Sequence, residues 1–369
     1  MPIGLQRLGH FWSNTLMKCS GEKSHVVRLA GGVALLAAVA AAAAIALLGD
    51  RTGNGPAPGS AGSRPAGGYD LAAFRQVDPA LVLYEEASQP VQTGLKTPTG
   101  LFVDAQDRVY VAGDHEVRVL DAQGALVRRV AVEDAPRTVA VAEDATAFVV
   151  SRGRVSVYGG DGKLQGHWDS PGPRTFLTSV VLHGEAVFVA DYGNRVIHKY
   201  DRTGRELATI DGKAPSAKAA HFSIPSPFFD VAIDPCGQLI AANTGKHRLE
   251  TFSTDGEFKG QWGRFGMDIE GFCGCCNPAN FAILPDGSVV TAEKGLTRVK
   301  VYDASGKFAG VVAPPSAFKR HDDLCESNLE LADRSALDVA VDSQGRVLVL
   351  DPLTAELRVF VRKINRKAP

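Results

Sequence analysis

The sequence lacks a surplus of either charge: 40 lysines and arginines stand against 41 aspartates and glutamates over 369 residues. A chain so balanced has no overall field to draw it onto nucleic acid. It also lacks the local signatures of several enzyme classes. There is no phosphate-binding loop, no dinucleotide fingerprint, no G-x-S-x-G elbow and no H-E-x-x-H helix. Between Leu29 and Gly49 it lacks charge altogether.

That uncharged run is 21 residues long, and about 20 apolar residues suffice for a helix to span a bilayer core. Arg7, Lys18, Lys23 and Arg28 precede it, and basic flanks stay on the cytoplasmic side. The competing reading is a cleaved signal peptide, whose apolar core is usually about 7–15 residues. No small-x-small cleavage site follows Ile45-Ala46-Leu47-Leu48. The expectation is a short basic cytoplasmic segment at 1–28 and a transmembrane signal-anchor helix at 29–49. A Gly/Pro/Ser-rich flexible linker follows at 50–70, then a globular domain at 71–369. The domain would lie in the periplasm or outside the cell, held at the inner or plasma membrane.

What the chain has in abundance is repetition. One unit reads LFVDAQDRVYVAG, another DVAIDPCGQLIAAN, others FAILPDGSVVTAEKG and DVAVDSQGRVLVLD, with a weaker copy in VAVAEDATAFVVSRG. Each alternating strand ends in a Gly/Asp turn. A second β-rich strand, a third resembling Val-x-Val-Tyr, an Asp-x-x-Gly turn and a fourth strand follow. Units begin near residues 99, 138, 178, 229, 280 and 336. The reading is an all-β, six-bladed β-propeller of four-stranded antiparallel blades. The last unit stops after its third strand, so Leu81-Val82-Leu83-Tyr84 is expected to supply the missing outer strand and close the ring.

Three stretches carry a family likeness: Val189-Ala-Asp191-Tyr-Gly-Asn194-Arg195-Val196, Ala241-Ala-Asn243-Thr-Gly-Lys246-His247-Arg248-Leu249, and Glu293-Lys-Gly-Leu-Thr-Arg298-Val299-Lys-Val-Tyr302. In them the chain resembles the NHL-repeat family of propellers over nearly everything after residue 80. The resemblance implies the fold. It does not select a function, since propellers of this kind include lyases, hydrolase-like relatives, receptor sensor domains and scaffolds.

Meander topology sorts the loops. First-to-second and third-to-fourth turns share one face; second-to-third loops and blade-to-blade crossovers share the other. The crossovers at 166–177, 210–228, 263–279 and 313–335 are long, and long loops on a rigid scaffold carry binding. On this face the candidate binding residues are His115, His221, His247, Arg264 and Asp322. In some relatives implied by the resemblance, histidines at the channel mouth bind zinc.

Cys273, Cys275 and Cys276 sit in GFCGCCNP, and Cys325 in HDDLCESN. Disulfides are the default for clustered cysteines in an oxidising compartment, with Cys273 or Cys276 joined to Cys325. A bond between Cys275 and Cys276 would be strained. The sharper alternative is a thiolate site for zinc, copper or iron, with His321 as an added ligand. Asp191, Asn243, Glu293 and Asp351 recur at second-strand ends and could line a channel or hold a cation, though the repeat itself explains them more cheaply. Arg195, Arg248, Arg298 and Arg358 recur around the third strand and read as structural. Two functions stay open. One is a binding module whose crossover loops meet a protein, glycan or small ligand. The other is a metal- or thiol-dependent enzyme or redox protein centred on the CGCC loop.

Overall fold

A computed structural model of the chain describes residues 72–212, 222–274, 276–327 and 336–364, all within one compact unit, Tyr69–Pro369. The basic segment 1–28, the apolar run 29–49 and the linker at 50–70 fall outside the described residues, as do His221 and Cys275. Among the described residues no helix is long and apolar enough to cross a membrane.

The described strands form six antiparallel sheets. The first blade runs Pro98–Val103, Val109–Gly113, Glu116–Leu120 and Leu126–Ala131. The second, from the weakest repeat, is Pro136–Val141, Ala147–Ser151, Val155–Tyr158 and Leu164–Trp168. Leu177–His183, Ala186–Asp191, Val196–Asp201 and Glu206–Ile210 make the third. The fourth is Val231–Ile233, Leu239–Asn243, Arg248–Phe252 and Phe258–Trp262. The fifth is Asn280–Ile283, Val289–Glu293, Arg298–Tyr302 and Phe308–Ala313. Asp338–Val341, Val347–Asp351 and Glu356–Arg362 begin the sixth. Tyr84–Glu86 completes it, antiparallel, with Tyr84 opposite Arg362. The N-terminal segment closes the ring as expected, but the closing strand starts at Tyr84, the last of the four residues expected: Leu81 ends a short helix, Pro79–Leu81, and Val82 bridges Val311 of the fifth blade. Val91–Gln92 extends the same edge by pairing with Leu357 and Glu356.

The alternating pattern becomes packing between blades. Six apolar clusters fill the six blade-to-blade gaps. Phe148 and Trp168 of the second blade meet Val187 and Tyr200 of the third. Leu348 and Leu350 of the sixth meet Val109 and Val111 of the first. Tyr84 lies between the fifth and sixth beside Val301 and Phe360. Second strands are buried on both sides, whereas outermost strands such as Leu126–Ala131 alternate exposed and half-buried residues.

The turns explain the Asp-x-x-Gly repeat. In the fifth blade the backbone N–H groups of Ser305 and Lys307 both donate to Asp303 Oδ1, at 2.9 and 3.0 Å. Gly306 completes the turn at φ +82°. The side chain of Asp303 supplies acceptors the tight backbone cannot. Gly306 has a second duty: a Cβ there would run into the ring of Trp262 from the preceding blade. Gly287 has a similar φ of +80°, but a Cβ there would sit 3.4 Å from Ala304 Cβ, an ordinary contact. Gly306→Ala should therefore cost about 2–4 kcal/mol in urea unfolding, combining left-handed strain and overpacking. Gly287→Ala should cost only the strain, about 1–2 kcal/mol. Equal losses would mean that Trp262 does not brace the turn.

Candidate functional site

The innermost strands converge on the axis and leave a channel of about 440 Å³. An innermost strand is a sheet edge, so its outward backbone groups need partners. Side chains of the neighbouring blade provide them. Asp338 Oδ2 accepts from the Leu101 N–H at 2.7 Å, and Asp230 Oδ2 accepts from that of Phe281 at 2.9 Å. Ser179 Oγ donates to Asp230 Oδ1 at 2.6 Å, and Thr178 Oγ1 donates to the Phe229 carbonyl at 2.7 Å. Burial, opposed by the Ser179 and backbone hydrogen bonds, pushes Asp230 up to about 6. Burial and the nearby Asp230 charge push Asp338 up to about 7. Both acids hold protons more tightly folded than unfolded. Their contribution to stability therefore falls as pH rises from the ordinary carboxylate range through 6 and 7. In carbon-13 NMR of aspartate-labelled protein, two carboxyl resonances should titrate as a coupled pair between about pH 6 and 7. If every aspartate has titrated by pH 5, the channel is wetter and less enclosed than its geometry implies.

The crossover-side mouth of the channel is lined by Pro98, Thr99, Arg137, Pro227 and Phe228. Arg137 opens the innermost strand of the second blade, and Arg152 lies in that blade's second-to-third loop. Their guanidinium carbons each lie 4.8 Å from the ring centre of Phe176, in the crossover into the third blade. Backbone bonds fix this group. The Leu177 N–H donates to the Arg152 carbonyl at 2.9 Å, and the Tyr192 N–H to the Phe176 carbonyl at 2.9 Å. The Phe176 N–H donates to Asp191 Oδ1 at 3.0 Å. Lys294 Nζ sits 4.9 Å from the ring centre of Phe228.

Asp191, Asn243, Glu293 and Asp351 do not line the channel. They are buried within their blades, one strand out from the axis, and they fasten loops. Burial alone would raise Asp191; the His198 hydrogen bond, with the Phe176 and Asn194 backbone, outweighs it and holds the carboxyl near 2. Asn243 Oδ1 accepts from the Ser223 N–H at 2.9 Å. The recurrent arginines split. Arg248 pairs with Glu250 at 2.5 Å, Arg298 with Glu293 at 3.0 Å and Arg358 with Glu86 at 2.7 Å. Arg195 is exposed, at φ 57° in its turn.

Glu293 also takes Lys300 Nζ at 2.7 Å. The Lys300 ammonium, pulled down to about 8 chiefly by burial, donates to the Gly271 carbonyl at 2.8 Å. Arg298 Nη2 reaches the Asp268 and Gly271 carbonyls at 3.3 Å each. This buried triad anchors the crossover that carries the cysteines. Asn277 fastens its other end: its Nδ2 donates to the Cys273 carbonyl at 2.6 Å and the Lys294 carbonyl at 2.9 Å. Glu293→Gln should strand two buried cations, lowering stability by about 3–5 kcal/mol. Amide exchange should accelerate over Asp268–Gly271. Unchanged exchange there would show that the crossover holds itself.

The cysteine staple does not form: no disulfide joins Cys273, Cys276 and Cys325. Cys273 and Cys276 are packed in the base of their loop, and Cys325 lies on a helix, Lys319–Ser327, that the repeat pattern gave no sign of. Burial first, and the Glu293 charge second, raise the Cys273 thiol. Among the described residues no three His, Cys, Asp or Glu side chains come close enough to hold a metal ion. His321 is buried, with Nδ1 2.8 Å from Asp351 Oδ1, and Asp322 is buried beside it, so neither is offered to solvent. His115 is exposed in its loop, Nδ1 3.2 Å from the Glu133 carbonyl. His247 Nε2 lies 2.6 Å from the Gly274 carbonyl, and its ring meets exposed Phe265 edge-on at 5.1 Å. Arg264 forms a two-pronged pair with Asp268, at 2.8 and 2.9 Å.

Arg137, Arg152, Phe176, Phe228, Asp230 and Asp338 were not singled out from the sequence. The two aspartates could have been, since Asp-Val-Ala opens both DVAIDP and DVAVDS. The arginines recur in no register.

No family model and no curated protein matches the sequence. Solved structures do match its shape. Selenomethionine-substituted virginiamycin B lyase from Staphylococcus aureus superposes with a TM-score of 0.52 at 8% identity, covering 76% of this chain and 100% of that one. The likeness is one of fold. A structural genomics protein of unknown function from Bacteroides thetaiotaomicron gives 0.50 at 11% identity, covering 76% and 72%. The WD40 β-propeller domain of Doa1 gives 0.50 at 11%, covering 73% and 81%. At these identities a lyase and a WD40 domain resemble this chain about equally, so the likeness fixes a β-propeller architecture and selects no chemistry.

Proposed function

We propose that this chain is a membrane-tethered, extracytoplasmic, NHL-like propeller that acts as a binding module through its crossover face. The observation that carries the reading is the asymmetry of the two faces. Tight Asp-x-x-Gly turns close one face, while the long crossovers and the channel mouth with its aromatic and cationic side chains gather on the other. The partner would be a protein, glycan or small ligand. The tether rests on the uncharged run Leu29–Gly49 behind four basic residues, and on the linker that follows.

The alternative, a metal- or thiol-dependent centre at the CGCC loop, has less behind it. A buried thiol whose titration is pushed upward is a poor nucleophile and a poor ligand until it loses its proton. The test is photo-crosslinking in intact cells with the full chain. A crosslinker at Phe265 or Arg195 should capture a discrete partner, and one at Gln123 or Ser305 on the turn face should not. Reporters after residue 364 should be active only outside the cytoplasm. Equal crosslinking from both faces, or a cytoplasmic reporter signal, would overturn the reading.

A further inference from the structure

Arg137 is in an unusual position for a cation. Its Nε is buried and has no hydrogen-bond partner, and its Nη2 reaches only the Pro227 carbonyl, at 3.5 Å. The charge that acts on it is another cation, Arg152, and both that repulsion and the larger effect of burial lower its proton affinity. Stacking on Phe176 offsets part of the cost, since a cation over an aromatic ring contributes about 0.5–2 kcal/mol. It supplies no counter-charge. A cation drawn out of water needs an anion and hydrogen-bond acceptors; Arg137 is half-buried with Arg152 exposed beside it, and no carboxylate among the described residues pairs with either. The two channel aspartates are already committed to backbone N–H groups of neighbouring blades. Lys294, across the mouth over Phe228, adds a third positive charge.

We propose that Arg137 and Arg152 form an oxyanion-binding subsite at the crossover mouth of the channel. It takes the carboxylate or phosphate of a ligand whose apolar part lies over Phe176 and Phe228. Planar guanidinium forks pair two-pronged with such anions, and the parts of the two aromatic rings that these cations leave uncovered give the rest of the ligand an apolar contact. The backbone that carries Arg152 and Phe176 is held before any ligand arrives, by bonds to Leu177, Tyr192 and Asp191 of the third blade. This deepens the reading of the crossover face as a binding surface by naming the chemistry of what it binds.

The probes are inorganic phosphate and benzoate, titrated into the full chain in detergent at constant ionic strength with chloride as the reference. Both should raise the melting temperature, benzoate at lower concentration because it also covers the rings. If phosphate alone acts, the ligand is a phosphate carrier; if benzoate alone acts, it is a carboxylate. Arg137→Met keeps an apolar stem over Phe176 and should weaken binding at least tenfold. Arg152→Met should weaken it several-fold, and Arg205→Gln, in an exposed turn on the opposite face, should leave it unchanged. Should Arg137→Met fail to fold, the Nε–Hε resonance of Arg137 in the unaltered protein decides, since bound anion must shift it. Neither anion protecting beyond chloride, or protection persisting in both Met variants, would overturn the subsite. Crossover-face crosslinks could still stand then, so the subsite would fail without the binding face failing with it.

Discussion

Every blade of this molecule has two apolar faces and can bury them only against two neighbours. The closure of the ring is the constraint from which the rest follows. Tyr84–Glu86 lies against Glu356–Arg362, and Tyr84 enters the cluster between the fifth and sixth blades. Without that pairing the third strand of the sixth blade would end in a bare edge. With it, six apolar gaps are equivalent, and each blade is held from both sides. The channel exists because the ring is closed: its walls are innermost strands that have no further strand to pair with.

That unpaired inner edge explains the polar side chains around the axis. Thr99, Thr178, Ser179, Asp230, Asn280 and Asp338 reach across to backbone groups of the next blade. They do the work a neighbouring strand would do in a continuous sheet. Two of them are acids because a carboxylate can take more than one backbone N–H. The surrounding protein then raises their proton affinity. Their state near neutral pH is a by-product of a structural job, and it leaves the channel less negative than its composition suggests.

The blades were legible in the sequence because turn and strand chemistry repeats. Asp303 and Gly306 recur as Asp121 and Gly124, Asp201 and Gly204, Asp342 and Gly345, and each pair makes the same turn. Even the degenerate second copy built a regular blade, since its alternating valines still fill the gaps on either side. Asp191, Asn243, Glu293 and Asp351 recur because the blade recurs, and their shared register makes no shared ring. They share only depth: each fastens whichever loop lies above it, with a different partner in each blade. The cysteines were legible as neighbours along the chain but not as a bonded pair, because spacing fixes which loop a thiol sits in and not where its sulfur points. Arg137 and Phe176 come from different blades and different registers, so nothing along the chain linked them before it folded.

The join in the sixth blade also sets an order of events. Tyr84–Glu86 is made early by the ribosome, and its partner Glu356–Arg362 only after the other five blades have been made. Until then the closing strand waits with its hydrogen-bonding edge open, and the first and last blades each show an apolar face. The fold cannot be finished from one end while the other is still being made. A nascent chain of this protein carries exposed surface for almost the whole of its synthesis and loses it in a single late step.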